Sequence, residues 1–240
     1  MTGHDDPGVR ARTVRVAGTT LVECFDARRR SDHSTRFVAR HLRVARGDVV
    51  AEVGCGTGLL AAFAAAHGAS RVWASDVDPA CVELARRTAA ANALPQVQAR
   101  CGALLDPIPR SERIDLVVAV LPQKPATVEF STRYAGGTDG ADLIVALARE
   151  AAERLQPAGR LVLYHHSVAA PGRVGGALDA AYDWRVVASR ARWISRRLYA
   201  NLAPGMLGHA LALCEAGVIR IRECGPWLVW ESRVIEAVRR

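Results

Sequence analysis

The sequence predicts an α/β domain, doubly wound around a mostly parallel sheet, with an antiparallel hairpin near each end of the chain. Three observations carry this. Short continuous apolar runs alternate with helix-length segments through the middle of the chain. A glycine-rich turn, Gly54-Cys55-Gly56-Thr57-Gly58, joins the first central strand to the helix after it. Period-two alternation of apolar and polar residues is confined to the two ends. Apolar strands separated by helices belong to a parallel sheet covered on both faces, where ligands lie at the carboxyl ends of the strands.

Taken in order, Val14, Val16, Leu21 and Val22 flank Gly18-Thr19 and predict a hairpin, followed by a helix from Ser34 to Leu42. Val49 to Val53 is the first central strand and Leu59 to Ala66 its helix. Arg71 to Ala74 is the second strand, and Pro79 opens a helix to Ala91, since its missing N–H costs nothing at a helix start. Val97 to Ala99 and Leu116 to Val120 are the third and fourth strands. Asp139 or Asp142 caps a helix to Leu155, and Pro157-Ala158-Gly159 turns the chain into a fifth strand, Leu161 to Tyr164. Ile219 and Ile221 alternate with Arg220 and Arg222, Gly225-Pro226 turns, and Trp227 to Trp230 returns as a closing hairpin. The expected organisation is an elaboration over residues 1–47 and the main domain over 48–240.

With 240 residues, half of them apolar, the chain can bury about three quarters of its unfolded surface. Its longest apolar run, Leu59 to Ala66, is far short of the ~20 residues of a membrane span, and Met1 to Arg10 is polar, so a soluble cytoplasmic protein without membrane contact is expected. The net charge of +8 admits a nucleic-acid partner. However, Lys124 is the only lysine, and an arginine- and alanine-rich chain follows equally from a compositional bias, which is the preferred explanation. Six cysteines without a C-x-x-C pair predict neither a metal site nor a disulfide framework, but small buried hydrophobes.

The glycines of the loop let the backbone turn tightly and approach a ligand closely. A dinucleotide fingerprint requires a third glycine where Leu59 stands, and the acidic Glu52 before the loop suits a cationic ligand better than a pyrophosphate. Asp76 ends the second strand, where a carboxylate can accept from both hydroxyls of a ribose. Asp78 is placed to cap the helix that begins at Pro79.

From Val14 to Leu163 the sequence resembles the class I S-adenosylmethionine-dependent methyltransferases, which have a Rossmann-like sheet. It is most similar to the branch holding the release-factor glutamine and RNA base methyltransferases. The hairpin, the glycine loop, Gly102 to Pro107 and the run Gly136-Gly137-Thr138-Asp139-Gly140-Ala141-Asp142-Leu143-Ile144 carry the likeness. It implies S-adenosyl-L-methionine as cofactor, held by Glu52, Gly54, Cys55, Gly56, Gly58, Asp76, Val77, Gly102, Ala103 and Val120, with Glu52 toward the methionine amino end, Asp76 on the ribose and Val77 against the adenine. Two departures stand out. Ala103 replaces the aspartate that relatives place after the third strand. Val120-Leu121-Pro122-Gln123 replaces their Asn-Pro-Pro-Tyr, of which only Pro122 remains.

Methyl transfer from a sulfonium is an in-line displacement that needs alignment, dryness and, for a protonated acceptor, a base. His165 and His166 follow the fifth strand and point to opposite faces, so at most one acts as base; His165 is the one expected. Pro122, Gln123 and Lys124 are expected to contact substrate, Gln123 by hydrogen bonding and Lys124 by pairing with an anionic group. Arg185, Arg190, Arg192, Arg196 and Arg197, with Trp193, read first as the arginine-covered solvent face of an edge strand, and otherwise as a clamp for an anionic substrate or a nucleotide-stacking surface. The first expectation for the acceptor is a small amino-acid-like or heterocyclic metabolite, as for a tailoring enzyme. The alternatives are a ribosomal, RNA or protein substrate, and a nonenzymatic adenosylmethionine-binding protein.

Overall fold

The computed structural model describes residues 8–127 and 134–240, which fall into two compact units, one drawn from Met1–Val120 and Arg154–Val162, the other from Leu121–Glu153 and Leu163–Arg240.

In the first unit, β1 (Arg10–Val16) and β2 (Thr19–Phe25) pair antiparallel, with Val16 opposite Thr19 and Arg10 opposite Phe25. Ala17 and Gly18 between them both have positive φ, the turn geometry whose twist matches a two-residue hairpin. Val14, Val16 and Leu21 are buried. The Asp32 side chain caps α1 (His33–Ala39) by accepting from the Ser34 and Thr35 amides, so this helix starts one residue earlier and ends three earlier than expected.

The sheet of this unit runs β5 (Val97–Cys101), β4 (Arg71–Asp76), β3 (Val49–Val53), β6 (Ile114–Ala119), then β7 (Leu155–His166), which passes from this unit into the other at Val162. The β5–β4, β4–β3 and β3–β6 pairs are parallel. The chain works outward from β3 to β5 and then returns to β6 on the other side of β3, which makes the carboxyl ends of β3 and β6 a topological switch point. α2 (Leu59–Ala66) is almost wholly buried. α3 (Pro79–Ala91) is capped by Asp78, as the sequence predicts, and its far end holds the edge of β2: the Cys24 amide donates to Thr88 and the Val22 amide to Asn92. The buried Arg154 guanidinium donates from Nη1 to the Leu105 carbonyl and from Nη2 to those of Ile108 and Pro109.

The second unit contains most of α4 (Asp142–Arg154), the end of β7, α5 (Pro171–Asp179), β8 (Tyr182–Ser195), α6 (Arg196–Ala200), α7 (Met206–Glu215), β9 (Arg222–Cys224) and β10 (Trp227–Arg239). β10 lies between β7 and β8, pairs antiparallel with β8 along its whole length, and carries β9 at its start. Tyr199, Met206, Ala210, Ile219, Leu228 and Trp230 form a buried apolar cluster. The Asp139 side chain accepts from the Ala141 amide, just before α4.

Several boundaries differ from expectation. β7 begins at Leu155, directly after α4, so the predicted turn lies inside a strand; Ala158 still bends it, at φ +61. Val120 lies just past β6 rather than within it. The closing hairpin exists, but β9 is three residues long, and Ile219 and Ile221 precede it as irregular chain. Cys24, Cys55 and Cys81 are buried as expected, whereas Cys101 and Cys224 are exposed and Cys214 is half-buried. No helix among the described residues is long and apolar enough to cross a membrane.

Candidate active site

The glycine loop of the first unit is fastened strand by strand. The Gly54 and Cys55 amides both donate to the Ser75 carbonyl, at 2.8 and 2.9 Å. One step further, the Gly56 amide donates to Asp76 Oδ2 at 2.9 Å, while Asp76 Oδ1 accepts from the Asp78 amide. The second glycine is thus pinned against the carboxylate that ends β4. Gly58 has φ +71, and a Cβ there would stand 2.7 Å from Ala85 Cβ and 2.9 Å from Ala85 Cα, so only glycine lets α2 pass α3 at this distance. Gly56, at φ +53, has nothing within 4 Å of the place a Cβ would take: the loop opens there into free space.

Behind the loop, the Thr57 hydroxyl donates to Glu23 Oε1 at 2.9 Å. Glu23 is completely buried and also accepts from Arg12 Nε, the Ser31 amide and the Ser31 hydroxyl. A buried carboxylate is tolerated when it is this fully surrounded by donors.

Glu52 is buried as well. Its Oε2 accepts from the Ala61 amide at 2.8 Å, at the start of α2. Burial pushes its carboxyl up to about 8, against the backbone hydrogen bonds from Ala61 and Leu60 and with a further push from the Asp76 charge. The group is therefore poised to lose a proton when positive charge arrives. Asp78 caps α3 and also accepts from Arg29 Nε at 2.8 Å. Burial raises its pKa, but Arg29 and the Ala80 amide outweigh this and hold it below the usual carboxylate range. Around the same strand ends, the Gly102 amide donates to the Asp76 carbonyl, Val77 is 70% exposed, and Ala103 is exposed.

These residues fit adenosylmethionine. A half-buried carboxylate suits a diol, an exposed valine suits an apolar face, the glycine leaves room, and the acidic surroundings suit a cation.

The loop after β6 belongs to the second unit. Gln123 is buried, and its amide closes on the protein itself: Nε2 donates to the carbonyls of Tyr164 and Leu121, and Oε1 accepts from the His166 amide. The structure thus makes Gln123 a clasp between loop and strand rather than a free donor for substrate. The glycine run seals the same loop. A Cβ on Gly136 would stand 2.6 Å from Gln123 Cα and 2.7 Å from the Pro122 carbonyl, and one on Gly140 2.6 Å from the Gln123 carbonyl. The Lys124 amide donates to the Tyr134 carbonyl, and the Gly136 amide to the Lys124 carbonyl.

So fixed, Lys124 sends its amine into an aromatic enclosure. Nζ lies 5.0 Å from the Tyr199 ring centroid and 5.1 Å from that of Trp230. Burial, helped by the Arg192 charge, lowers the amine to about 8. His166 shares this enclosure. Its ring packs edge-on against Tyr164 and Trp230, and Trp230 Nε1 donates to its Nδ1 at 3.0 Å. An indole N–H can only donate, so Nδ1 is the acceptor and the proton sits on Nε2. Burial, followed by the Lys124 charge, keeps this imidazole neutral. The Tyr199 hydroxyl is buried without a partner among the described residues.

His165 is turned away. It is 1% exposed, its Nε2 donates to the Ala169 carbonyl at 2.8 Å, and burial lowers its pKa to about 4 despite that bond. Of the two histidines, the expected base is thus the one sealed in the core. His166, rather than His165, is the imidazole beside Lys124.

The family model described as methyltransferase small domain matches residues 19–171. The chain belongs to this family. Its fold and family are those of S-adenosylmethionine-dependent methyltransferases, in agreement with the sequence. Among curated relatives, the chain is 37% identical over 147 residues to the ribosomal protein L11 methyltransferase of Pelotomaculum thermopropionicum, covering 61% of the chain and 41% of the relative. It is 30% identical over 97 residues to the probable protein arginine N-methyltransferase 6 of Arabidopsis thaliana, covering 40% and 22%. It therefore spans less than half the length of these relatives. Among solved structures, the T. thermophilus 16S rRNA methyltransferase in complex with AdoMet and guanosine has a TM-score of 0.60 at 19% identity, covering 97% of this chain and 51% of that one.

No pattern in the sequence points to Glu23 behind Thr57, or to Tyr199 and Trp230 around Lys124, since these partners lie 34 to 106 positions away.

Proposed function

We propose that this chain transfers the methyl group of S-adenosylmethionine to a nucleophile on a component of the translation machinery. The observation that carries the reading is the open space over Gly56 beside the Asp76 carboxylate, at the switch point of the sheet. There, Asp76 would hold the ribose, Val77 the adenine, and Glu52, on losing its proton, would balance the positive charge of the methionine end. Gly54, Cys55, Gly58, Gly102, Ala103 and Val120 complete this cradle.

The bond that forms joins the acceptor atom to the methyl carbon while the carbon–sulfur bond breaks. The sulfonium needs no further activation, so the protein's tasks are alignment, dryness and removal of the acceptor's proton. Lys124 is the group proposed for the proton, because burial has brought its amine close to neutrality. Pro122 and Gln123 hold it in place, and His165 is assigned to packing.

The acceptor reading rests on the relatives. The ribosomal protein L11 and rRNA methyltransferases among them support a macromolecular substrate and give no support to the small metabolite first expected or to a role in secondary metabolism. The test is incubation with adenosylmethionine labelled at the methyl group and three pools: ribosomal proteins, ribosomal RNA and small metabolites, taken from cells lacking the gene. Label in either ribosomal pool is expected. Label confined to small metabolites overturns the acceptor class, and failure to bind adenosylmethionine in calorimetry overturns the activity.

A further inference from the structure

Within the segment from Trp184 to Tyr199, Arg192 and Tyr199 belong to the surroundings of Lys124, but Trp193 has no place in the site described above. The β8–β10–β9 ladder shows what surrounds it. Trp193 lies opposite Val229, which lies opposite Arg222. In the next row but one, Ser195 lies opposite Trp227, which lies opposite Cys224. Residues opposite one another share a face, as do residues two apart on one strand. Trp193, Trp227 and Arg222 therefore stand on the same side of three strands. Trp193 and Trp227 are diagonal neighbours, about 7–8 Å apart between Cα atoms.

The other side of the ladder bears Leu228 and Trp230, which are buried in the core of the unit at 0% and 4% exposure. Trp193 and Trp227 are 51% and 45% exposed. Leaving two indoles of this size in water is costly, so this pair calls for a partner.

The charge around the pair identifies the kind of partner. Arg222 makes no side-chain hydrogen bond or ion pair among the described residues, and Arg220 lies close enough to influence Glu231. The carboxylates nearby are already answered: Glu231 by Arg233, and Glu223, on the opposite face, by Arg196. Uncompensated cations remain around two flat aromatic platforms. That combination fits single-stranded nucleic acid, in which bases stack on indoles while guanidinium groups take the phosphates. An apolar protein surface would leave the arginines without counterparts.

We propose that this face docks a single-stranded segment of RNA, with Trp193 and Trp227 each stacking a base and Arg222 contacting the backbone. The proposal rests on the reading of the acceptor as part of the translation machinery and assigns it to RNA. The net charge of +8 then acts in the same direction through long-range attraction.

The experiment is fluorescence anisotropy with a labelled mixed-sequence twelve-nucleotide RNA, at several salt concentrations. Wild type is compared with Trp193→Ala, Trp227→Ala, both together, the two phenylalanine replacements, and Arg222→Ala. Each alanine at a tryptophan should weaken binding by about tenfold, and phenylalanine should retain most of it. Arg222→Ala should lower the dependence of log affinity on log salt by about one unit. Unchanged adenosylmethionine affinity in calorimetry shows that the variants are folded. Wild-type RNA affinity in the double alanine variant overturns the proposal. So does a wild-type protein that binds no RNA, or one that forms a dimer lost in that variant, in which case the face joins two copies. A protein that methylates a ribosomal protein but ignores RNA overturns this proposal while leaving the proposed function standing. Absence of adenosylmethionine binding fails the function itself.

Discussion

Replacing Gly56 and Gly58 separately by alanine discriminates between packing and ligand space. Both residues have positive φ, so each alanine carries a left-handed backbone cost of about 1 kcal/mol. At Gly58 the new methyl also meets Ala85 Cβ at 2.7 Å and backbone Cα at 2.9 Å, which no rotamer change relieves. Forcing α2 and α3 apart adds about 1–3 kcal/mol, for a total of about 2–4 kcal/mol. At about 2–4 °C per kcal/mol for a domain of this size, Gly58→Ala should lower Tm by about 4–16 °C and Gly56→Ala by only about 2–4 °C. Ligand response should run the other way. Adenosylmethionine at a hundred times Kd stabilises by about 2.7 kcal/mol, so wild type should gain about 5–11 °C. Gly56→Ala puts a methyl into the open space beside Asp76 and should lose most of that gain. Differential scanning calorimetry with and without cofactor measures all four numbers. A full ligand-induced shift in Gly56→Ala would show that the cofactor does not pass over this glycine.

Other outcomes follow from the same geometry. Glu52 titrates near 4.5 when unfolded and near 8 when folded, so between these values the folded chain holds the extra proton and stability falls as pH rises. Glu52→Gln should flatten that slope in denaturation curves, and cofactor binding at pH 7 should release protons, read as a buffer-dependent enthalpy. Asp76→Ala should weaken cofactor binding by about 1.5–3 kcal/mol, whereas Asp78→Ala should lower stability by about 1 kcal/mol with little effect on binding; equal effects in calorimetry would misplace the ribose contact. Gln123→Ala strands the His166 amide and the Tyr164 carbonyl and should destabilise by about 2–4 kcal/mol in urea unfolding. Lys124 titrates near 10.5 unfolded and near 8 folded, so stability rises with pH across that interval. Lys124→Met should remove the rise and lower kcat, and an unaltered kcat would deny the amine any part in proton removal.

The legible part of the fold was the part with strong local signals. β3, α2 and α3 occupy the residues expected, because an apolar run, a glycine turn and a proline at a helix start each act within a few residues. α5 was missed: Pro171-Gly172-Arg173-Val174-Gly175-Gly176 has poor intrinsic helix propensity and is helical through its packing, with Val174 and Leu178 buried. α7 is apolar on nearly all sides and shows no periodic face. In β7, Ala158 takes a positive φ inside the strand, so turn residues marked a bend rather than an end. At the candidate site, the glycine loop, Asp76 and the Asp78 cap could be read from spacing. The surroundings of Lys124 could not, since Tyr199 comes to it from α6 and Trp230 from β10, both remote in sequence. His165 and His166 are adjacent in sequence and equivalent in chemistry, and only the fold separates them, His165 bonding the Ala169 carbonyl and His166 packing against Tyr164 and Trp230.

The solitary lysine gives this protein a built-in reporter. An acylating reagent finds one lysine amine, and that half-buried amine lies against the Tyr199 and Trp230 rings, so its labelling rate reports how freely it is reached. Peptide mass after digestion, which separates this amine from the α-amino terminus, therefore counts adducts at this one position without any engineered tag. Whatever closes the enclosure, whether acceptor, inhibitor or product, slows the adduct in proportion to its occupancy, which turns a burial pattern into a binding assay that serves for a ligand of any chemistry.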